Sequence, residues 1–184
     1  NYSKTFCSIE QTYKIKIKDL SDLIYSFKDA RFSLKIGDVG HGLTKALYST
    51  YISYLPKDKF SYKVSPKIDE RGKFIEFLKS KSFGQISFLS INPGKIRGGH
   101  YHHTKIEKFL LLSGEVNFRF KNLLTNEFYE ILVSDNDTMI VESIPGWTHD
   151  IQNKSDKEAI VIVWANEIFD SDKPDTVVKP IKKD

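Results

Sequence analysis

From residue 60 onward the sequence consists of short β-prone segments separated by turn signals. Each segment is rich in Phe, Ile, Val, Leu or Tyr, residue types that fit a pleated and half-buried surface. The segments are 74–78, 84–90, 108–112, 116–120, 128–133, 139–141, 149–152 and 159–164. The turns are marked by Pro93-Gly94, Ser113-Gly114, Asp135-Asn136 and Asn153–Asp156. This pattern predicts an all-β sandwich or a small barrel, which periodicity alone does not distinguish.

Histidines and one glutamate are spaced so that they could meet inside such a barrel. His100 and His102 are two residues apart, so on a strand both imidazoles face the same side. Glu107 follows after a bend, and the distant His149 can join from a neighbouring strand. His103 falls on the opposite face and is left out of the set. Three imidazoles and one carboxylate suit zinc, iron, manganese or nickel, so the spacing predicts a metal site.

The first sixty residues show a different pattern. Residues 13–18 alternate apolar and charged side chains, which predicts a short strand. Asp19 is expected to cap an amphipathic helix, and a second helix is expected from about Thr44 until Pro56. Two helices and one strand make a poor core, so this segment is expected to dock on something else.

Composition excludes several classes of protein. The net charge of +4 is modest and the lysines are spread along the chain, so no nucleic-acid surface is indicated. The single cysteine, Cys7, excludes an internal disulfide framework and fits a reducing cytoplasm. No apolar run has membrane-spanning length and no signal peptide opens the chain. Because the chain begins at Asn1 and its only methionine is Met139, we expect a piece of a longer protein.

The spacing around the histidines resembles the two sequence motifs of the cupin superfamily. The fixed positions of the first motif are occupied by Gly94, His100, His102, Glu107 and Gly114. Residues 145–153 resemble the second motif, although no residue separates Pro145 from Gly146 and the usual upstream glycine is replaced by residues 134–137. The resemblance implies an all-β cupin jelly-roll barrel preceded by a short α-helical segment.

Longer stretches resemble one particular family. They are 69–74, 98–110, 164–170 and 173–176, with 23–28 and 47–56 in the first part of the chain. They resemble the bifunctional capsule and O-antigen enzymes of UDP-N-acetyl-L-fucosamine synthesis, in which a short-chain reductase precedes a cupin domain. The resemblance implies that residues 1–60 are the tail of a reductase domain and residues 61–184 the cupin domain. Since no Gly-x-Gly-x-x-Gly turn is present, the reductase half is absent from this chain.

The resemblance also implies an activity. In that family the cupin half epimerises C3 of a UDP-2-acetamido-2,6-dideoxy-4-hexulose, a step in capsular polysaccharide or O-antigen precursor synthesis. We therefore expect a metal-dependent sugar-nucleotide epimerase, with zinc as cofactor and a UDP-sugar as substrate. A Lewis-acidic ion suits this chemistry because removal of a proton beside a keto group requires a stabilised enolate. The candidate acid or base groups near the motif are Tyr101, His103, Lys105 and Lys108.

Substrate and partner residues follow from side-chain chemistry. Arg71 and Arg97 are expected to bind the diphosphate, because the guanidinium fork pairs with phosphate oxygens. Trp147 is grouped with them, as a residue that lines the mouth or packs the loop. A homodimer is expected from the Leu- and Tyr-rich helices of residues 20–55, with the reductase domain in the full-length protein or as a partner. Two other functions stay open: a non-catalytic sugar-nucleotide-binding or dimerisation cupin, and a metal-dependent cupin oxygenase.

Overall fold

The computed structural model describes residues 10–182 of the chain. It divides into two compact units, Asn1–Ser61 and Tyr62–Asp184. Cys7, which carried the inference of a reducing environment, lies outside the described residues. Within residues 10–182, no helix is both long enough and apolar enough to cross a bilayer.

The first unit is built on two helices, α1 (Ile17–Ser33) and α2 (Gly42–Ser53), followed by a 3-10 turn at Lys57–Lys59. The buried ring of Phe27 on α1 packs against Tyr48 and Tyr51 of α2, with ring centroids 5.1 and 5.8 Å away. These aromatic contacts come from the apolar face that the helical spacing predicted. The short helical segment ahead of the β unit is confirmed, although α2 begins two residues before Thr44.

Two details predicted for this unit are wrong. Residues 13–18 do not form a strand; residues 11–16 have no regular structure and α1 starts at Ile17. Asp19 lies in the first turn of α1, and the cap position belongs to Lys16, whose side chain makes no capping hydrogen bond. A helix closes its hydrogen bonds within its own segment, as Leu20 N–H does to Lys16 O at 3.0 Å, whereas a strand needs a neighbour to pair with.

The second unit is all β. Its described strands are β1 (Lys67–Asp69), β2 (Gly72–Ser80), β3 (Gly84–Ile91), β4 (Ile96–Tyr101), β5 (Glu107–Ser113), β6 (Glu115–Asn122), β7 (Phe128–Ser134), β8 (Ile140–Glu142), β9 (Trp147–Asn153), β10 (Ala159–Ala165) and β11 (Val177–Val178). They pair antiparallel in two sheets, ordered β1-β2-β3-β10-β5-β8 and β11-β4-β9-β6-β7. All eight predicted segments coincide with strands, except that Met139 of the segment 139–141 lies just before β8.

The core fills the space between the two sheets. It is formed by inward-facing side chains of both sheets, among them Leu89, Phe109, Phe118, Val161 and Ile151. Because successive side chains of a strand point to opposite faces of the sheet, these residues face inward and the residues between them face outward. The predicted double-sheet jelly roll is therefore confirmed in architecture.

A bulge in β4 sets the register beside the histidines. Gly98 pairs with Asp150 of β9, and the register then shifts so that His100 pairs with His149. Gly98 has a φ of +90°, and a Cβ atom at this position would lie 2.9 Å from the carbonyl oxygen of His149. Only glycine combines this backbone conformation with so close an approach. The bulge therefore places the two histidines side by side.

Candidate metal centre

Three histidines and one glutamate meet between the two sheets. His100 lies near the end of β4, His102 just beyond it, Glu107 at the first position of β5, and His149 on β9. Their ligand atoms all lie within 4.8 Å of one another. The structure thus brings together all four residues that the sequence predicted as a metal-binding set.

The cluster is organised around one carboxylate oxygen. Glu107 Oε2 lies 3.1 Å from His102 Nε2, 3.3 Å from His149 Nε2 and 4.0 Å from His100 Nε2. The His102 and His149 side chains are almost fully buried, whereas the His100 side chain is 23% exposed. Three nitrogens therefore face the same point, and the open side of the cluster is at His100.

The hydrogen bonds of His102 show why a cation suits this point. His102 Nδ1 lies 2.5 Å from the backbone carbonyl oxygen of Asp175. A carbonyl only accepts, so Nδ1 carries the proton and, in the neutral ring, Nε2 presents a lone pair. That lone pair faces the lone pairs of Glu107 Oε2, and a bound divalent cation would replace this repulsion by coordination. The residues present therefore fit a bound divalent metal.

The charge states of the cluster agree with this role. Burial raises the pKa of the Glu107 carboxyl, but the neighbouring side chains of His100, His102 and His149 outweigh this effect and hold the pKa well below its usual value. Burial lowers the pKa of His100, which favours the neutral imidazole. An ionised carboxylate and a neutral imidazole are the forms in which these groups bind metals.

His149 is held differently from His102. Its Nδ1 is buried and has no hydrogen-bond partner among the described residues. The ring lies between Phe109 and Phe120, with centroids 6.0 and 6.4 Å away. The orientation of this ring is therefore fixed by its packing and by the backbone register of β9. No hydrogen bond to Nδ1 from the described residues contributes.

A cavity of about 470 Å³ opens onto the cluster at His100 and Glu107. Its walls combine cationic, anionic and apolar groups, including Arg71, Arg97, Lys105, Glu167 and Phe169. A smaller cavity of about 210 Å³ borders the same two ligands and also touches His149, Phe109 and Ile151. The cluster therefore faces two partly open cavities, whose walls can contact both apolar and anionic parts of a ligand.

The structure separates the candidate acid and base groups. Lys105 lines the larger cavity; its Nζ donates to Thr176 Oγ1 at 2.9 Å and lies 3.9 Å from Glu107 Oε1. Tyr101 and His103 are not among the described residues that line it. His103 is largely exposed and is bonded to Asp175. Lys108 points to the outer face of its sheet, where it pairs with Glu142. Of the four groups, only Lys105 lines the cavity.

The predicted substrate residues are also divided. Arg71 and Arg97 both line the cavity. Arg71 Nη2 lies 2.5 Å from Asp69 Oδ2, and Arg97 Nη2 lies 3.6 Å from Asp69 Oδ1. Arg97 is buried, donates from Nε to Ser90 O, and has no hydrogen-bond partner for Nη2 in the described part of the chain. Trp147 does not reach this cavity. It lies two residues before His149 on β9 and packs against the core, because alternation points both side chains inward.

Several cavity residues were missed by the sequence argument. Gln85 and Ser87 of β3 line the cavity, as do Glu76 of β2 and Thr176. The signal for the first pair was available: both alternate in phase with Leu89 and Ile91, which are core residues. No such signal pointed to Thr176, because its position depends on a pairing with a strand more than seventy residues earlier.

Comparison with known proteins places the chain in a family. Residues 67–177 match the family model described as polysaccharide biosynthesis C-terminal domain. The chain belongs to this family. The matched range runs from β1 to β11 and contains all four residues of the candidate metal centre.

Two relatives of this polysaccharide biosynthesis C-terminal domain match more of the chain than residues 67–177. A UDP-2-acetamido-2,6-beta-L-arabino-hexul-4-ose reductase of Pseudomonas aeruginosa is 50% identical over 168 residues, which cover 91% of this chain and 45% of that protein. The capsular polysaccharide assembling protein CapF from Staphylococcus aureus is 38% identical, with a TM-score of 0.90 over 94% of this chain and 48% of CapF. The chain spans about half the length of both relatives.

A third likeness bears on the fold alone. A mutant of Bacillus subtilis oxalate decarboxylase superimposes with a TM-score of 0.51 at 16% identity, over 63% of this chain and 30% of that one. Together with the two antiparallel sheets and the match to CapF, it confirms the predicted cupin-type fold.

Proposed function

We propose that this chain is the epimerase part of a sugar-nucleotide enzyme and inverts C3 of a UDP-2-acetamido-2,6-dideoxy-4-hexulose during synthesis of a capsular polysaccharide or O-antigen precursor. The observation that carries the proposal is a His/Glu cluster that borders a cavity with a buried lysine. The Pseudomonas relative supports the substrate class, since its name specifies a UDP-linked 4-keto sugar.

The four clustered residues would hold the metal. His100, His102, His149 and Glu107 form a three-imidazole, one-carboxylate set, for which zinc is the expected ion. Bound there, a divalent ion supplies Lewis acidity that makes a hydrogen beside a carbonyl more acidic. Because the His100 side chain is the most exposed of the four, we expect the substrate to approach from its side.

Lys105 is the residue that we propose for proton transfer at C3. Its side chain is 8% exposed and its Nζ is fixed between Thr176 Oγ1 and the Glu107 carboxylate. An amine held in this way can, in its neutral form, remove the C3 proton from one face of the sugar and become an ammonium group. Inversion then requires that the enolate take a proton on its opposite face, and water in the cavity is the donor that we propose for this step. Tyr101 and His103 have no such access to the cavity, so we assign them no role in the reaction.

The two arginines are proposed to bind the nucleotide diphosphate and the sugar at different depths. The Arg71 side chain is 44% exposed, whereas that of Arg97 is 10% exposed. The Arg71 guanidinium, together with its backbone N–H, holds the pKa of Asp69 at about 2, so this carboxylate stays charged and orients Arg71. We propose that Arg71 contacts the diphosphate. We propose that Arg97 Nη2, which lies 3.6 Å from Asp69 Oδ1 and has no hydrogen-bond partner among the described residues, contacts an oxygen of the sugar further inside.

The chain also has surfaces that we propose to be covered in the full assembly. The first unit exposes Tyr25 and Phe32 of α1 and Tyr54, just after α2, each by more than 65%. We propose that this unit packs against a reductase domain, because the relatives are about twice as long as the chain, and that the protein forms a homodimer.

The proposed reaction is tested by hydrogen exchange. The zinc-loaded protein is incubated with the UDP-4-hexulose in deuterium oxide, and deuterium at C3 is followed by NMR. We expect incorporation, loss after chelation, and recovery when a divalent ion is restored. No nicotinamide should be consumed. Absence of exchange with metal bound and the correct keto sugar supplied would refute the epimerase proposal and favour a binding module.

A matched pair of lysine variants tests the assignment of the proton-transfer group. Lys105→Met should lower the exchange rate by roughly 10² to 10⁴-fold, the usual contribution of a general acid or base. Lys108→Met removes the same charge from a lysine on the outer face, and its exchange rate should match that of the unaltered protein. Equal rates in the two variants would contradict the role of Lys105.

A further inference from the structure

A segment near the end of the described chain pairs with the strand that carries His100. Val177 and Val178 of β11 pair antiparallel with Tyr101 and His100 of β4. The pairing continues one residue further, where Lys179 N–H donates to Gly99 O at 2.8 Å. Residues 175–179, here named the terminal strap, therefore run along the part of β4 that leads into the metal centre.

The first residue of the terminal strap holds the loop between two proposed ligands. Asp175 Oδ2 accepts the backbone N–H groups of Thr104 and Lys105 at 2.7 and 2.8 Å, and Oδ1 accepts that of His103 at 2.9 Å. Burial raises the pKa of Asp175, but these three amides lower it to a value far below the usual range. One ionised carboxylate thus binds three consecutive backbone amides.

Asp175 also touches a proposed ligand directly, through its main chain. Its carbonyl oxygen accepts the proton of His102 Nδ1 and so leaves Nε2 directed at Glu107. The side chain of Asp175 and its carbonyl oxygen are joined within one residue. Any shift of Asp175 relative to the loop therefore moves the acceptor away from the His102 ring.

The other end of the loop is held independently. Glu107 N–H donates to Ser143 Oγ at 2.8 Å, and Ile106 N–H donates to Asn166 Oδ1 at 3.0 Å. Neither acceptor belongs to the terminal strap. Loss of the Asp175 carboxylate should therefore release His102 while Glu107 keeps its place.

We propose that Asp175 is the positioning residue of the metal centre: its carboxylate fixes the loop of residues 103–105 and its carbonyl oxygen fixes the tautomer and direction of His102. This inference rests on the metal centre of the proposed function, but not on the identity of the substrate or the reaction. It means that metal affinity depends on a residue that contributes no ligand atom and lies over seventy positions away from the ring that it orients.

The test measures metal binding and not turnover. Zinc affinity of the metal-free protein is determined by competition with a chromophoric chelator, and the visible spectrum of the cobalt form reports ligand geometry. Asp175→Ala should weaken zinc about 10 to 100-fold, the usual effect of losing an outer support of a metal ligand, and should change the cobalt spectrum. Asp172→Ala removes the same charge from the exposed chain three residues earlier and should leave both measurements unchanged.

A double-variant cycle separates positioning from general stability. If Asp175 acts through His102, then Asp175→Ala should cause little further loss of zinc affinity in a His102→Ala protein, because the ring that it orients is already absent. Additive losses, or equal affinities for Asp175→Ala and Asp172→Ala, would overturn the inference. If Asp175→Ala does not fold, Asp175→Asn carries the same comparisons, since its amide NH₂ replaces one of the two oxygens that accept backbone amides.

The outcome for the unaltered protein distinguishes this inference from the proposed function. A protein that binds no zinc or cobalt would refute the metal centre, and the positioning role with it. A protein that binds zinc tightly and is unaffected by Asp175→Ala would refute the positioning role alone. Measured exchange at C3 has no part in either decision.

Discussion

Replacement of Gly98 by alanine tests how the bulge in β4 builds the metal centre. Gly98 has a φ of +90°, where an L-residue costs about 1–2 kcal/mol. The added Cβ would also lie 2.9 Å from His149 O and 3.0 Å from Asp150 Cα. Both are backbone atoms of the paired strand, so relief requires separation of β4 from β9. Such overpacking costs about 1–3 kcal/mol more, so Gly98→Ala should lose about 2–5 kcal/mol of unfolding free energy.

Gly94→Ala is the matched control for this change. Gly94 also has a positive φ, +69°, but a Cβ there would meet nothing within 4 Å. It should lose only the conformational part, about 1–2 kcal/mol. Urea unfolding of the metal-free proteins measures both losses. Zinc affinity should fall about tenfold or more in Gly98→Ala alone, because the strain displaces His100 from His149. Equal stabilities and equal zinc affinities in the two variants would refute the reasoning.

Three further results are expected. Asp150→Asn should cost about 3–5 kcal/mol in urea unfolding, since it leaves the buried guanidinium of Arg119 without its bidentate partner, and a cost below about 1 kcal/mol would contradict this. Arg71→Ala should raise the KM for the UDP-sugar more than it slows exchange at saturation, because phosphate contacts persist in the transition state; an effect on saturated exchange alone would contradict the assignment. Sedimentation at micromolar concentration should show a dimer, and a monomer would refute the proposed association.

Much of the β unit could be predicted because its signals are local. Alternating apolar residues and punctuating turns identified the strands from 74–78 to 159–164 without any knowledge of their partners. The same local alternation misled at residues 13–18, where the backbone adopts no strand and the helix begins at Ile17. Alternation states which side chains share a face, but a strand also needs a neighbour, and the pattern contains no information about one.

The chemistry of the candidate metal centre was determined by the sequence itself. His100 and His102 stand two residues apart and Glu107 follows after a bend, so their donor types and approximate reach are set within eight residues. The placement of His149 beside them was decided by tertiary structure, through the bulge at Gly98 and the register of β4 on β9.

Tertiary structure also decided which neighbouring residues face the ligand cavity. Sequence treated Tyr101, His103 and Lys105 alike, yet only Lys105 lines the cavity. Regular alternation ends with β4 at Tyr101, and the loop beyond it takes its path from Asp175, which binds three consecutive amides. In a strand, the direction of a side chain follows from its position along the repeating pleat and can be read from the sequence. In a loop, it depends on the distant groups that form hydrogen bonds with the loop backbone.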